Sequence, residues 1–318
     1  MNVYWDIDKL PDPPMEPIAT MGNLDGVHRG HQIIISKLQE EAERKNAQTL
    51  VIVFEPHTRK VVRPKDDFAP LMGLNEKLRR LYELGVDNVL VLPFAEGYAE
   101  MTAHEFIEEV LWDPLQIQAL YVGPDAGFGK KREGDVRLLS SEGRRLGFHV
   151  GIIDPLWSEG QRISSSRVRA ALEKGHLDAV NRLIGRHHVI SGTVLRGFRR
   201  GQEIGFPTAN IDPAGTALPP NGVYIGWAYL EDDTRHGTML NIGHRPTFDG
   251  GKLSVEAHLF NFDGNLYGKE LRVSVRGKIR DEVEFGSPDA LKAQLVRDAV
   301  EARKQLGIKK AKTKAKPS

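Results

Sequence analysis

Hydrophobic positions follow two different rhythms along the chain. Up to about residue 185, short and nearly unbroken apolar runs recur at residues 17–19, 49–54, 88–92, 120–122 and 150–153. Runs without polar alternation predict parallel strands buried on both faces. Amphipathic stretches fall between them, at residues 33–44, 75–84, 135–146, 165–174 and 177–184, and the last four stop at Gly85, Gly147, Gly175 and Gly185. Glycine just past a periodic segment is a helix C-cap signal. Thr102 and Glu105 form a capping box ahead of Phe106, Ile107 and Val110. Alternating strand and helix predicts a parallel sheet with helices on both faces. From about His187 the pattern becomes a series of strands, at residues 189–195, 223–229, 238–242, 253–262 and 271–279, separated by turns such as Asp263-Gly264 and Pro220-Asn221-Gly222. This predicts an antiparallel barrel or sandwich, followed by one helix over residues 287–306 with Pro288 in its first turn.

A length of 318 residues fits two domains. We place them at 1–185 and 186–308, with a tail at 309–318. That tail holds Lys309, Lys310, Lys312, Lys314 and Lys316 and no large apolar residue, so it reads as disordered and solvated. Over the whole chain 44 Lys and Arg balance 43 Asp and Glu, which argues against a nucleic-acid-binding field. The chain has no Cys, fitting a reducing compartment. It shows no signal-peptide pattern and no apolar run near the ~20 residues that span a bilayer. The expectation is a cytoplasmic protein with no membrane or nucleic-acid partner.

Chemistry concentrates first in residues 20–31, TMGNLDGVHRGH. The run joins an expected strand to an expected helix, where helix N–H groups and the dipole favour phosphate. Gly22 and Gly30 let a phosphate approach the backbone, Asn23 and Asp25 are polar, and His28 and His31 lie three apart on one helical face. Without Cys, or a third ligand at a familiar spacing, a zinc site is not favoured here. Three further segments would meet this turn at the strand ends: Phe54-Glu55-Pro56-His57, the glycine-rich run from Gly123 and Asp125 to Arg132, and Ile163-Ser164-Ser165-Ser166-Arg167-Val168-Arg169. In the second half, Arg196–Gly201 and Gly205-Phe206-Pro207-Thr208-Ala209-Asn210 form a Gly/Arg-rich loop suited to phosphates and a hard cation, and Glu256 and His258 alternate with Val255, Ala257 and Leu259.

The G-N-L-D-G-V-H-R-G-H string with the later I-S-S-S-R-V-R is similar to HxGH-type nucleotidyltransferases. Together with G-F-P-T-A-N, N-I-G-H-R-P-T-F and V-E-A-H-L-F-N-F, it resembles the bacterial bifunctional riboflavin kinase/FMN adenylyltransferase (FAD synthetase) family over about residues 15–306. The resemblance implies a Rossmann-like N-terminal domain and a C-terminal riboflavin-kinase β-barrel with one long helix. It implies that riboflavin is phosphorylated to FMN, and FMN adenylylated to FAD, with ATP and Mg²⁺. By resemblance, His28 and His31 stabilise charge on the ATP phosphates, and Asn23 and Asp25 shape the nucleotide site. Ser164, Ser165 and Arg169 hold the triphosphate. Thr208 and Asn210 bind Mg²⁺ and phosphate near Gly201, Glu256 is the general base, and the Arg245-Pro246-Thr247-Phe248 loop closes over flavin. Two motifs depart from the family pattern. Thr58 stands where F-E-P-H-P ends in Pro. Ala126 and Gly127 replace an aromatic-containing stretch after Asp125, and a lost aromatic contact is worth ~1 kcal/mol. Two alternative readings accompany this one: a riboflavin kinase whose other half is weakened or lost, and a non-catalytic flavin-sensing or RNA-binding protein.

Overall fold

A computed structural model describes residues 1–196, 201, 204–244 and 253–308. The chain divides into two compact units, Met1–Pro70 with Leu74–Val168, and Leu71–Gly73 with Arg169–Ser318. The division passes through a helix, whereas the expected boundary follows residue 185.

The first unit is a six-stranded parallel sheet. Its strands are β1 (Asn2–Trp5), β2 (Ile18–Met21), β3 (Thr49–Glu55), β4 (Asn88–Pro93), β5 (Ala119–Val122) and β6 (His149–Ile152). The apolar runs form β2 to β6 as expected. The edge strand β1 carries no such run, because it pairs only with β4 and is half-exposed. The helices are α1 (Arg29–Lys45), α2 (Thr58–Val62), α3 (Leu74–Glu83), α4 (Glu96–Glu100), α5 (Ala103–Glu105) and α6 (Val136–Leu146). The expected capping box of Thr102 and Glu105 is present, and the segment after it, Phe106–Trp112, winds as a π-helix. A small hairpin, β7 (Trp157–Ser158) with β8 (Gln161–Arg162), precedes α7 (Ser165–Glu173). The strand order β1-β4-β3-β2-β5-β6 sends the chain from β2 to one side and later to β5 on the other. That reversal between β2 and β5 is a topological switch point, where open α/β sheets bind ligands beyond the strand carboxyl ends. Leu50, Ile52, Leu90, Leu92, Ile107, Leu111 and Leu120 pack the core beneath it.

In the second unit, α8 (Leu177–Ile184) ends at Gly185 in the left-handed conformation. The strands that follow close into an antiparallel barrel rather than a sandwich. They are β9 (Val189–Leu195), β10 (Ala209–Asp212), β11 (Gly222–Tyr229), β12 (Arg235–His244), β13 (Leu253–Leu259) and β14 (Glu270–Arg280), in the order β10-β13-β12-β11-β14-β9. β10 pairs with both β13 and β9, so no edge remains open. The inward positions Ile190, Val194, Ile211, Leu240, Ile242, Val255, Ala257, Leu271 and Val273 are buried. The last helix, α9 (Pro288–Leu306), is capped by Ser287, and its Ala302 packs with Ile225, Met239 and Phe260. Asp298 of α9 is buried and accepts from Arg280 at 2.8 Å.

Candidate active sites

The turn after β2 opens a cavity of about 520 Å³, lined by residues from the ends of β2 and β5 and from the segment before α7. This turn is strained: Leu24 has φ 45° and the β-branched Val27 has φ 39°. His28 is the N-cap of α1, and its Nδ1 accepts from the His31 backbone N–H at 3.3 Å. The neutral His28 ring therefore carries its proton on Nε2. The two imidazoles stack with centroids 3.6 Å apart. Gly30 packs closely against that stack: a Cβ there would lie 3.1 Å from His28 Cε1. Burial above all, then the charges of His28, Lys77 and Arg162, holds His31 well below the ordinary 6.5. Its Nδ1 is buried with no hydrogen-bond partner. An idle acceptor costs less than an idle N–H, so His31 also carries its proton on Nε2.

The neighbouring loops are tied to this turn. Asn23 Nδ2 donates to Thr58 Oγ1 at 2.8 Å, and the Thr58 N–H donates to Asn23 Oδ1 at 3.0 Å. The Asn23 amide thus fastens the turn to the start of α2. Ser165 Oγ donates to the Asp25 carbonyl oxygen at 2.9 Å, and Ser164 Oγ accepts from the Arg167 N–H at 3.3 Å. Gly22 lines the cavity with these residues. Asp125 forms a 2.6 Å ion pair with Arg162, which is the first cause of its lowered pKa. Arg169 follows on α7, one residue past the division between the units.

Four contributors received no individual role in the sequence reading, although Arg132, Phe54 and Phe128 lie in segments it named. Arg162 lies in a two-residue strand with no periodic signal. Arg132 donates to the Asp125 carbonyl oxygen at 3.1 Å and lies over Gly127. Lys77 of α3 is 3% exposed, and its pKa is lowered by burial against the attraction of Asp25 and Glu55. Its signal was available, because it shares the apolar face of Leu74 and Leu81 at i−3 and i+4. The fourth is an aromatic wall: Phe54 meets Phe94 at 5.5 Å and Phe106 at 6.3 Å, and Phe106 meets Phe128 at 5.7 Å. Ala126 borders the same cavity.

The second site lies on the barrel. Glu256 of β13 stands opposite Asn210 of β10 on one side and Asn241 of β12 on the other. Cross-strand partners share a face, so the three form a row. Thr208 Oγ1 donates to Glu256 Oε2 at 3.4 Å. Gly201 fits the segment tightly: a Cβ there would lie 2.2 Å from the Phe206 carbonyl oxygen. Arg245, residues 197–200 of the Arg-rich loop and the lysine tail lie outside the described residues. Among the described residues no group of three or more His, Cys, Asp and Glu is arranged to hold a metal.

The two units match two families in the same order. Residues 11–167 match the family described as FAD synthetase, and residues 184–306 match riboflavin kinase. A bifunctional riboflavin kinase/FMN adenylyltransferase of Escherichia coli (strain K12) is 39% identical over 311 residues, covering 98% of this chain and 99% of that protein. The chain belongs to the bifunctional riboflavin kinase/FMN adenylyltransferase family. A family member from Haemophilus influenzae is 37% identical, covering 89% of this chain and 92% of its own length. A solved structure described as a macrolide-efflux protein from Streptococcus pneumoniae superposes with a TM-score of 0.81 at 27% identity, covering 95% of this chain and 99% of its own. That likeness carries the fold. Among the described residues, no helix of this family member is long and apolar enough to cross a membrane.

Proposed function

We propose that this chain makes FAD in two ATP-consuming steps at two separate sites, and that the working modules are residues 1–185 and 186–308. The observation that carries the reading is the contrast between the sites. One is an anion-binding cleft with two histidines, and the other is a row of oxygen donors centred on a carboxylate. The family matches end at 167 and begin at 184, which leaves the short helices between them as the join.

On the barrel, Glu256 takes the proton of the riboflavin 5′-hydroxyl as that oxygen attacks the γ-phosphorus of ATP, giving FMN and ADP. A neutral hydroxyl is a poor nucleophile, so a positioned base matters here. The hydroxyl of Thr208 and the amide oxygen of Asn210 are hard oxygen donors that would hold Mg²⁺ beside the Glu256 carboxylate. Bound there, the ion neutralises charge on the phosphates. Gly201 lets the loop approach them, and Arg245 lies on the loop proposed to cover the flavin.

In the cleft, an FMN phosphate oxygen attacks the α-phosphorus of ATP and pyrophosphate leaves. The nucleophile is already an anion, so the protein's task is alignment and charge stabilisation. The N–H groups at the start of α1 and the Nε2–H groups of His28 and His31 bind phosphate oxygens. Ser164 can still donate its hydroxyl hydrogen. Ser165, whose hydroxyl already donates to Asp25, contributes its backbone N–H. Arg169, four residues further along α7, extends the same anion site. Gly22, Asn23 and Asp25 shape the nucleotide end, with Gly30 and Asp125 beside it. The aromatic wall receives the isoalloxazine ring. Both steps draw on ATP, which supports a cytoplasmic location.

Incubation of the full chain with riboflavin, ATP and Mg²⁺, resolved by chromatography, yields both FMN and FAD on this reading. The appearance of neither product overturns it. Ala126 favours one second reading, a kinase with a weakened adenylyltransferase, for which FMN accumulates without FAD.

A further inference from the structure

Two residues past Glu256, β13 carries a second polar side chain on the face opposite the buried Val255, Ala257 and Leu259. His258 Nδ1 lies 2.9 Å from the Pro207 carbonyl oxygen. A carbonyl only accepts, so the imidazole donates and Nδ1 carries the proton. The ring also meets Phe206 edge-on at 5.1 Å and Phe260 at 5.5 Å. These contacts fall where the sheet gives no support. The β10–β13 ladder begins at Ala209 opposite Ala257, so Thr208 precedes the first paired residue. What holds the approach to β10 is the Phe206 N–H donating to the Gly201 carbonyl oxygen at 2.7 Å and His258 donating to Pro207.

We propose that His258 is a positioning residue for riboflavin phosphorylation: by holding the Pro207 carbonyl and the Phe206 ring against β13, it sets the Thr208 hydroxyl beside the Glu256 carboxylate. The proposal rests on the reading of Thr208 and Glu256 given above. Burial lowers the His258 pKa first of all, the Pro207 bond opposes that and the Arg303 charge adds to it. The Nδ1–H exists in both the neutral ring so held and the protonated ring, so the role adds no pH dependence of its own.

The test uses the full chain and compares His258→Leu, His258→Asn and His258→Gln. Asn keeps an amide N–H near the position of Nδ1, whereas Gln carries its amide further out and Leu has no donor. Riboflavin phosphorylation is measured as kcat and KM for ATP, and FMN adenylylation by the same preparation is the control. His258→Leu and His258→Gln are expected to raise KM for ATP about tenfold, the scale of one lost hydrogen bond. His258→Asn is expected to recover most of that loss, with FAD formation from FMN unchanged in all three. Wild-type kinase constants in His258→Leu, or equal impairment of the Asn and Gln variants, overturn the proposal. If the Leu variant does not fold, the Asn and Gln pair carries the same comparison. Glu256→Gln runs in parallel: full kinase activity there overturns the underlying reading and this proposal with it. An inactive Glu256→Gln beside an unaffected His258→Leu overturns the proposal alone.

Discussion

The α/β unit and the barrel unit hold their reactive groups in opposite ways. In the cleft, the groups sit on loops beyond the strand ends, and side chains such as Asn23 and Ser165 tie those loops together. On the barrel, Glu256, Asn210 and Asn241 sit within strands, and the backbone register sets them side by side. A loop site can absorb a change in one tether because others remain. A strand site depends on few adjustable contacts, and those lie where the ladder has not yet begun. The same contrast separates the chemistry, since the kinase step needs a base and the adenylyl transfer needs charge stabilisation.

The largest expected effect breaks the two activities apart. Glu256→Gln should lower riboflavin phosphorylation by about 10²–10⁴-fold, the range of general-base catalysis, while FMN still becomes FAD. His31→Ala should do the reverse, lowering FAD formation by about 10²–10³-fold, as loss of a transition-state donor does, while FMN accumulates. Chromatography of both products from each variant decides this. If either substitution abolishes both activities in a folded chain, the sites are not independent.

A second comparison concerns buried histidines. His188 is 4% exposed in the barrel unit, and burial, followed by the Arg186 charge, lowers its pKa from 6.5 to about 4. Between those values the unfolded chain binds more protons than the folded one, so stability falls as pH drops below 6.5. The loss between pH 7 and pH 5 should be about 2 kcal/mol. His188→Leu should flatten that part of the profile in denaturant titrations, and an unchanged acid limb would contradict the assignment. His31 acts in the same direction in the first unit, from its own lowered pKa.

Smaller effects sharpen the idea that the cleft is held by tethers. His57 caps α2, which makes Thr58 its first helical residue, a position that tolerates proline. Thr58→Pro removes both hydrogen bonds to Asn23, each worth ~1 kcal/mol, and should cost FMN adenylylation about thirtyfold at most without altering riboflavin phosphorylation. Ser165→Ala removes one bond to the Asp25 carbonyl and should cost about fivefold in the same assay. A thousandfold loss from either would mean that the cleft lacks the redundancy argued here.

Much of the fold was legible in the chain. Unbroken apolar runs marked β2 to β6 because a parallel strand covered on both faces has no polar side to show. Alternation marked most of the barrel because one face of each strand points inward. β1 and β10 were not legible. β1 is a half-exposed edge strand with no unbroken apolar run, and β10 lies in a segment whose Gly, Pro and Asn read as a loop. Local pattern identifies an element only when burial leaves a distinct apolar signature in it.

The sites divide along the same line. Side-chain type and spacing singled out His28 and His31 at a helix start, whereas Glu256 was singled out by the resemblance of its V-E-A-H-L-F-N-F motif to the family pattern. Those choices are local and can be read along the chain. Tertiary structure alone brought β5 beside β2 to make the switch-point cleft, set Asn210 and Asn241 on either side of Glu256, and paired Arg162 with Asp125. It also joined Thr58 to Asn23 and buried Lys77 near Asp25. These partners lie tens of residues apart, and nothing in the local pattern couples them. Their meeting is decided by strand order, register and packing, which exist only once the chain has folded.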